Sequence, residues 1–95
     1  MIDLKAKPFS LSDEEIAWVN ETRDALTDAE KAGQLFCVMG GDYALDELTR
    51  MVSDYAVGGV LYRPAPAATL RQSFAALDAA AKVPLLKAAN LEEGG

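Results

Sequence analysis

Residues 57 to 64 read VGGVLYRP, and this stretch decides which kind of fold the chain can adopt. An uninterrupted apolar run, Val60 to Tyr62, follows two glycines and ends at Arg63-Pro64. A short apolar run without polar alternation is typical of a strand that is buried on both faces. Such strands belong to parallel sheets that helices cover or to closed barrels. We therefore predict a buried strand over 58–62.

Amphipathic patterns lie on both sides of this strand. Apolar residues recur at helical spacing before it and after it: Leu45, Leu48, Val52 and Tyr55, then Leu70, Phe74, Leu77 and Ala81. This spacing predicts helices over 43–56 and 67–81. Two further apolar runs predict buried strands over 35–39 and 84–89. Because strands alternate with helices, we expect right-handed crossovers and a parallel sheet in the order 1-2-3.

Two capping boxes precede the first strand. Ser12 to Glu15 reads SDEE, and Thr27 to Glu30 reads TDAE. In each box the first side chain can accept a hydrogen bond from an exposed amide, and the glutamate can reach back to the cap. We expect one helix over 13–26 and a short second helix that ends near Gly33.

The composition is that of one small globular domain and excludes several classes of function. The chain has 95 residues, of which 51% are hydrophobic, and a net charge of −6, so nucleic acid is an unexpected partner. No apolar run approaches the roughly 18 residues of a membrane span, and residues 1–10 lack the apolar segment of a signal peptide. The only cysteine, Cys37, has no intrachain disulfide partner and is predicted to be a small core residue. We expect a cytoplasmic protein with no cofactor, no metal site and no membrane association.

Three parallel strands are too few to complete the architecture that they imply. A complete (β/α)8 barrel contains about 250 residues, or about 31 for each unit. The predicted strands start near Leu35, Gly58 and Pro84, a spacing that suits such units. We therefore predict an α/β fold that forms part of a (β/α)8 TIM barrel, with a leading helix and about three parallel strands alternating with helices. The chain would be a single partial domain, with 1–11 as an N-terminal extension and 12–95 as the first part of the barrel.

Three motifs resemble a known family in the expected order. They are LTDAEKAGQLF (Leu26 to Phe36), VGGVLYRP (Val57 to Pro64) and VPLLKAANLEEGG (Val83 to Gly95). Together they resemble the N-terminal barrel domain of glycoside hydrolase family 3, and most closely its bacterial β-N-acetylhexosaminidase-like and β-glucosidase-like members. The most specific motif is T-x-x-E-K-x-G-Q-L-F. The resemblance runs from about Pro8 to Gly95.

The resemblance implies a retaining glycosidase that removes terminal β-linked sugars, such as β-N-acetylglucosaminides or β-glucosides. Retention requires a nucleophilic carboxylate and an acid/base group on either side of the anomeric carbon. In the family the nucleophile is an aspartate late in the barrel, and the acid/base is a histidine on a later loop or a glutamate from a second domain. This chain contains no histidine. We therefore expect no catalytic residue in it and no activity from it alone.

The family resemblance implies candidate sugar contacts at the end of the third strand. Family members often have an Asp-x-Glu pattern there, followed by glycine, and the aspartate binds sugar hydroxyls. Asn90 and Glu92 match these positions, with Asn90 in place of the aspartate, so its hydrogen bonds would lack charge assistance. Arg63, at the end of the second strand, would lie on the same rim of a barrel. Simpler interpretations are an acidic terminus for Glu92 and a solvated or helix-pairing role for Arg63.

A second hypothesis is a non-catalytic structural or interaction module. A partial barrel leaves two sheet edges and one uncovered apolar face, which we expect to include Leu35, Cys37, Val60 and Leu61 with Leu85 or Leu86. Its partners would be further copies of the chain, as a homo-oligomer, or the remainder of the barrel. Lys87 opposes edge pairing, and a lysine in the middle of a strand needs a partner or a path to water.

Overall fold

The structure is a computed structural model that describes residues 1–92, and its elements follow the predicted order. The elements are α1 (Asp13–Ala25), α2 (Asp28–Gly33), β1 (Cys37–Met39), a 3-10 turn (Gly40–Asp42), α3 (Leu45–Tyr55), β2 (Gly59–Tyr62), α4 (Ala67–Ala80) and β3 (Leu86–Ala89). Every predicted helix and strand is therefore present, close to its expected bounds. No helix within residues 1–92 is long and apolar enough to cross a membrane.

The three strands form one parallel sheet in the order β1-β2-β3, which confirms the predicted topology. Gly59 lies opposite Cys37 on one side and Leu86 on the other, and Val60 lies between Val38 and Lys87. Because all strands run the same way, their carboxyl ends meet at one edge of the sheet.

Both predicted capping boxes are present. The Glu15 amide donates to Ser12 Oγ at 3.2 Å, and the Ser12 amide donates to Glu15 Oε2 at 2.7 Å. The Thr27 and Glu30 pair repeats this arrangement at 3.2 and 2.9 Å. The Glu30 carboxylate also binds the Lys82 ammonium group. This contact is the main cause of the lowered pKa of Glu30, and the hydrogen bond from the Thr27 amide is the second cause. The local sequence therefore sets where α1 and α2 begin, and Glu30 also ties α2 to the segment before β3.

The core lies between the sheet and the helix pair α3 and α4. Its buried apolar residues come from both helices, from β2 and from the segments before β2 and β3: Leu48, Val52, Val57, Val60, Tyr62, Leu77 and Leu85. The Tyr62 ring meets the Phe74 ring edge-on, with 5.3 Å between ring centroids. Burial of these side chains holds the two helices on one face of the sheet.

The opposite face of the sheet is uncovered within residues 1–92. The prediction that the strands are buried on both faces and the prediction that Cys37 is a core residue are therefore wrong. Leu35 and Leu86 are 88% and 78% exposed, and Cys37 is exposed rather than a core residue. A Cβ on Gly59 would lie 3.4 Å from Leu86 Cβ and 3.5 Å from Cys37 Sγ, so these three positions share the uncovered face. The strands predicted over 35–39 and 84–89 are therefore not buried on both faces.

One residue predicted for the uncovered face, Val60, lies on the other side of the sheet, and of the alternatives Leu85 and Leu86 it is Leu86 that lies on the uncovered face. Val60 is fully buried and Leu85 is 7% exposed, and both pack in the core with the helices. Successive side chains of a strand point to opposite faces, so Val60 and its neighbour Leu61 cannot share one. The uncovered surface therefore includes Leu61 and Leu86 but not Val60 or Leu85.

Lys87 has both a partner and a path to water. Its ammonium nitrogen lies 2.5 Å from Asp78 Oδ2 on α4 and 5.4 Å from the centroid of the Phe74 ring. Its side chain is one-third exposed. Lys87 therefore lies on the helix face of the sheet and links β3 to α4.

Hydrogen bonds from the α2–β1 connection hold the turn between α3 and β2. The side-chain amide of Gln34 donates to the Ala56 carbonyl at 2.7 Å. Ala56 ends α3 in the left-handed conformation, with φ 51°. The Phe36 carbonyl accepts from the amides of Gly58 and Gly59 at 3.1 and 3.2 Å. The motif E-K-x-G-Q-L-F therefore joins β1 to the start of β2.

Glycine is required at two points of this junction because the backbones approach closely. A Cβ on Gly33 would lie 1.8 Å from the Tyr55 carbonyl oxygen, and a Cβ on Gly58 would lie 2.0 Å from the Gln34 carbonyl oxygen. These oxygens belong to the backbone, so no side-chain rotation can relieve the overlap. Either substitution would push the two segments apart.

We predict that Gly58→Ala lowers the free energy of unfolding by about 1–3 kcal/mol, the usual cost of overpacking. Gly41→Ala is the matched control, because a Cβ there would meet no atom within 4 Å. We expect the control to stay within about 0.5 kcal/mol of the parent. Urea denaturation followed by circular dichroism measures both, and equal stabilities of the two variants would contradict the close approach.

We predict that Gln34→Ala lowers the free energy of unfolding by about 1–3 kcal/mol, because it removes the donor from a partly buried carbonyl. Gln72→Ala is the control, since Gln72 is exposed on α4. The same denaturation experiment compares them. If the two variants lose equal stability, the Gln34 side chain does not support the junction.

Candidate functional site

The carboxyl edge of the sheet gathers three connections. The turn Gly40–Asp42 follows β1, Arg63-Pro64 follows β2, and Asn90 follows β3. In parallel α/β folds, ligands bind outside the carboxyl ends of the strands. This edge, called the rim below, is therefore the place to look for a site.

The structure brings two of the three predicted site residues to neighbouring positions of the rim. The Asn90 amide donates to the Tyr62 carbonyl at 3.2 Å, so Asn90 lies beside the residue that precedes Arg63. Arg63 and Asn90 are both exposed, and Arg63 makes no ion pair within residues 1–92. Their side chains are therefore available at adjacent strand ends.

Glu92 is exposed in the turn that follows β3, two residues beyond Asn90. The glycines that complete the motif, Gly94 and Gly95, lie outside the described residues. Donors on Arg63, the amide of Asn90 and the carboxylate of Glu92 are the groups that bind sugar hydroxyls. Sugar contact by these residues stays a prediction.

A cleft of about 500 Å³ lies between the ends of β1 and β2 and the starts of α3 and α4. We call it the rim cleft. Its lining includes polar and aromatic residues that the sequence patterns did not select: Asp42, Tyr43, Thr69 and Ser73, beside Arg63. A Cβ on Gly40 would lie 2.4 Å from the Tyr62 ring, so glycine lets β1 end against that ring. The glycine pair after the first strand was the available signal for this cleft.

A second groove, of about 600 Å³, lies away from the rim between α2, β1 and α3. Its walls are mostly apolar and include Phe36, Val38, Met51 and Tyr55. Such a lining offers few groups that could orient a sugar, so the rim is the better candidate site.

The groups at the rim are suited to hydrogen bonding. No group of three histidine, cysteine, aspartate or glutamate residues within residues 1–92 is placed to hold a metal ion. The chain also has no histidine that could act as a general acid or base. The arrangement can bind a polar ligand at the strand ends.

Comparison with known proteins gives matches along almost the whole chain. No family model matches it. It is 44% identical over 94 residues to a β-N-acetylglucosaminidase/β-glucosidase of Cellulomonas fimi, covering 99% of this chain and 17% of that protein. It is also similar to the solved structure of a β-glucoside phosphorylase, BglX bound to 2FGlc, with a TM-score of 0.82 and 40% identity, covering 97% of this chain and 16% of that one. The chain thus spans about one-sixth of the length of the relatives that it matches.

Proposed function

We propose that the chain, which corresponds to an N-terminal region of a glycoside hydrolase family 3-like protein, forms the first part of a barrel that acts on β-linked sugars. The resemblance inferred from the three sequence motifs is thereby confirmed. In this proposal the chain contributes sugar contacts at the rim. The nucleophile and the acid/base come from later parts of a longer protein.

The observation that carries the proposal is the arrangement of the strand ends. β1, β2 and β3 are parallel and adjacent, and Arg63 and Asn90 follow two neighbouring strands on the same edge. In a closed barrel the uncovered face with Cys37 and Leu86 would point inward, and the rim would surround the substrate. Arg63 would then donate to sugar hydroxyls, and Asn90 could both donate and accept.

Hydrolysis is the preferred reaction, because the more identical relative is named as a glucosidase. Phosphorolysis is the second candidate, and it is supported by the name of the solved structure, a β-glucoside phosphorylase. The two reactions differ in whether water or phosphate accepts the glycosyl group.

We also propose a cytoplasmic location, because the exposed thiol of Cys37 would persist in a reducing compartment.

A chimera tests the sugar contacts. The matching 94 residues of the Cellulomonas fimi relative are replaced by those of this chain. We expect the chimera to release the aryl group from aryl β-N-acetylglucosaminide or β-glucoside, whereas the isolated chain should show no turnover above its Glu92→Ala variant. In the chimera, Asn90→Ala should lower kcat/KM by about tenfold, the effect of one lost hydrogen bond.

Glu14→Ala provides the control for these variants, because Glu14 is exposed on α1 and does not line the rim cleft. It should leave kcat/KM unchanged. Product analysis with and without phosphate separates free sugar from sugar phosphate and so assigns the acceptor. Wild-type kcat/KM in the Asn90→Ala chimera would contradict the proposed contact, and turnover by the isolated chain would contradict the assignment of catalysis to other parts of the protein.

As the alternative function, we propose that the isolated chain self-associates through its uncovered sheet face. Leu61 and Leu86 lie on this face, and Leu35 is exposed just before β1. Burial of about 400 Å² of apolar surface contributes on the order of 10 kcal/mol, comparable with the stability of a small domain. Association would therefore be favoured over a monomer with this face in water.

We predict oligomers by light scattering at micromolar concentration, and a shift toward monomer in Leu86→Glu. Ile2→Glu is the control, because Ile2 is 71% exposed but lies in the N-terminal extension. It should leave the oligomeric state unchanged. A stable monomer that unfolds cooperatively, or equal effects of the two substitutions, would refute association through this face.

A further inference from the structure

The outer edge of β1 is free within residues 1–92. β1 lies at one end of the sheet, and its strand partner in the described part of the chain is β2 alone. The edge of such a strand presents unpaired amides and carbonyls, to which a further strand can add. The sheet can therefore be extended beside Cys37 to Met39.

The second groove lies next to this edge, on the face of the sheet that carries the helices. Val38 lines the groove and pairs with Val60, whose side chain is buried in the core under α3 and α4. The two large aromatic side chains of the groove, Phe36 and Tyr55, are 65% and 69% exposed. Exposed aromatic side chains in an apolar groove of about 600 Å³ indicate a surface that a partner covers.

The walls of the second groove indicate the chemistry of that partner. The wall formed by α2 consists of small residues, Ala29, Ala32 and Gly33, which allow another helix to approach closely. Asp54 on α3 also lines the groove, and its carboxylate makes no ion pair within residues 1–92. A helix with an apolar stripe and a neighbouring lysine or arginine would match both features.

A strand that adds to β1 in the parallel direction also brings a helix. Parallel neighbours are joined through crossover helices, and right-handed crossovers place those helices on one face, here the face of α3 and α4. A second copy of the chain fits less well. A twofold pairing of two β1 edges would set groove against groove, and within residues 1–92 no helix follows β3 that could fill the groove. The relatives, by contrast, contain further chain beyond the matched sixth.

We propose that the second groove and the free edge of β1 form a docking seam for one strand–helix unit from a later part of the longer protein. The strand pairs with β1, and the helix lies in the groove with its apolar stripe on Phe36, Met51 and Tyr55. Its basic residue meets Asp54. This inference rests on the proposed barrel, and it assigns a role to residues that lie away from the rim.

Hydroxyl-radical footprinting with mass spectrometry tests the seam in the isolated chain and in the chimera described above. We expect modification of Phe36 and Tyr55 to fall by about fivefold or more in the chimera, because side chains at the centre of a packed interface lose nearly all their exposed area. Phe9 is the internal control, since it is 48% exposed and lines neither the second groove nor the rim cleft. An equal fall at Phe9 would overturn the assignment to the groove.

The footprint also separates this inference from the proposed function. Protection of Leu86 without protection of Phe36 and Tyr55 would overturn the seam and leave the barrel intact. Protection of the groove together with wild-type kcat/KM in the Asn90→Ala chimera would support the seam and contradict the sugar contact. Protection that rises with concentration in the isolated chain would identify a second copy as the occupant and would overturn the proposal.

Matched variants give a second measurement. Phe36→Glu should lower the melting temperature of the chimera by more than about 5 °C, because docking would bury an unpaired charge. In the isolated chain the same variant should stay within about 4 °C of the parent, as expected for an exposed position. Phe9→Glu is the control and should shift both proteins equally. Equal shifts for Phe36→Glu in the two proteins would refute the seam.

A chimera that fails to fold also gives a decisive result. The relative's own residues are then restored at the positions of the second groove alone. Recovered folding would support the seam, because only the groove has changed, and continued failure would overturn it.

Discussion

The close approach of two backbone segments, at Gly33 and Gly58, is the constraint on which the arrangement of the sheet depends. The first glycine lets α2 contact the end of α3, and the second lets the approach to β2 pass the Gln34 carbonyl. The hydrogen bond from Gln34 to Ala56 and the two bonds that Phe36 accepts act at the same junction. They bring β1 alongside β2 in the parallel direction, so the position of the rim follows from contacts at the opposite end of the strands.

The two faces of the sheet have different environments because each strand alternates its side chains. Val60 and Tyr62 point toward α3 and α4 and are buried, while Gly59 and Leu61 belong to the other side. This alternation also explains Lys87, which lies opposite Val60 but near the end of the core, where Asp78 and water are within reach. The uncovered face has no helix against it within residues 1–92. Such a face suits the interior of a barrel, where side chains from other strands would fill the space.

The rim combines groups that were recognisable from the family motifs with groups that were not. Asn90 and Arg63 occupy strand ends, which a parallel order alone places at one edge. The rim cleft also includes Ser73, on the second turn of α4, and its place in the cleft depends on where that helix begins relative to β2.

The sequence by itself determined the type, order and approximate bounds of the helices and strands, because capping boxes and apolar periodicity are local interactions within a few residues. The paired residues Ser12 and Glu15, like Thr27 and Glu30, are three positions apart, and the structure contains both pairs as expected. Tertiary structure alone decided which strands are buried, because the burial of Cys37 and Leu86 depends on whether a second layer covers the sheet. It also decided the contacts of Gln34 with Ala56, 22 residues away, and the opening of Ser73 onto the rim cleft. Such contacts depend on how segments distant in sequence pack, and no local pattern contains that information.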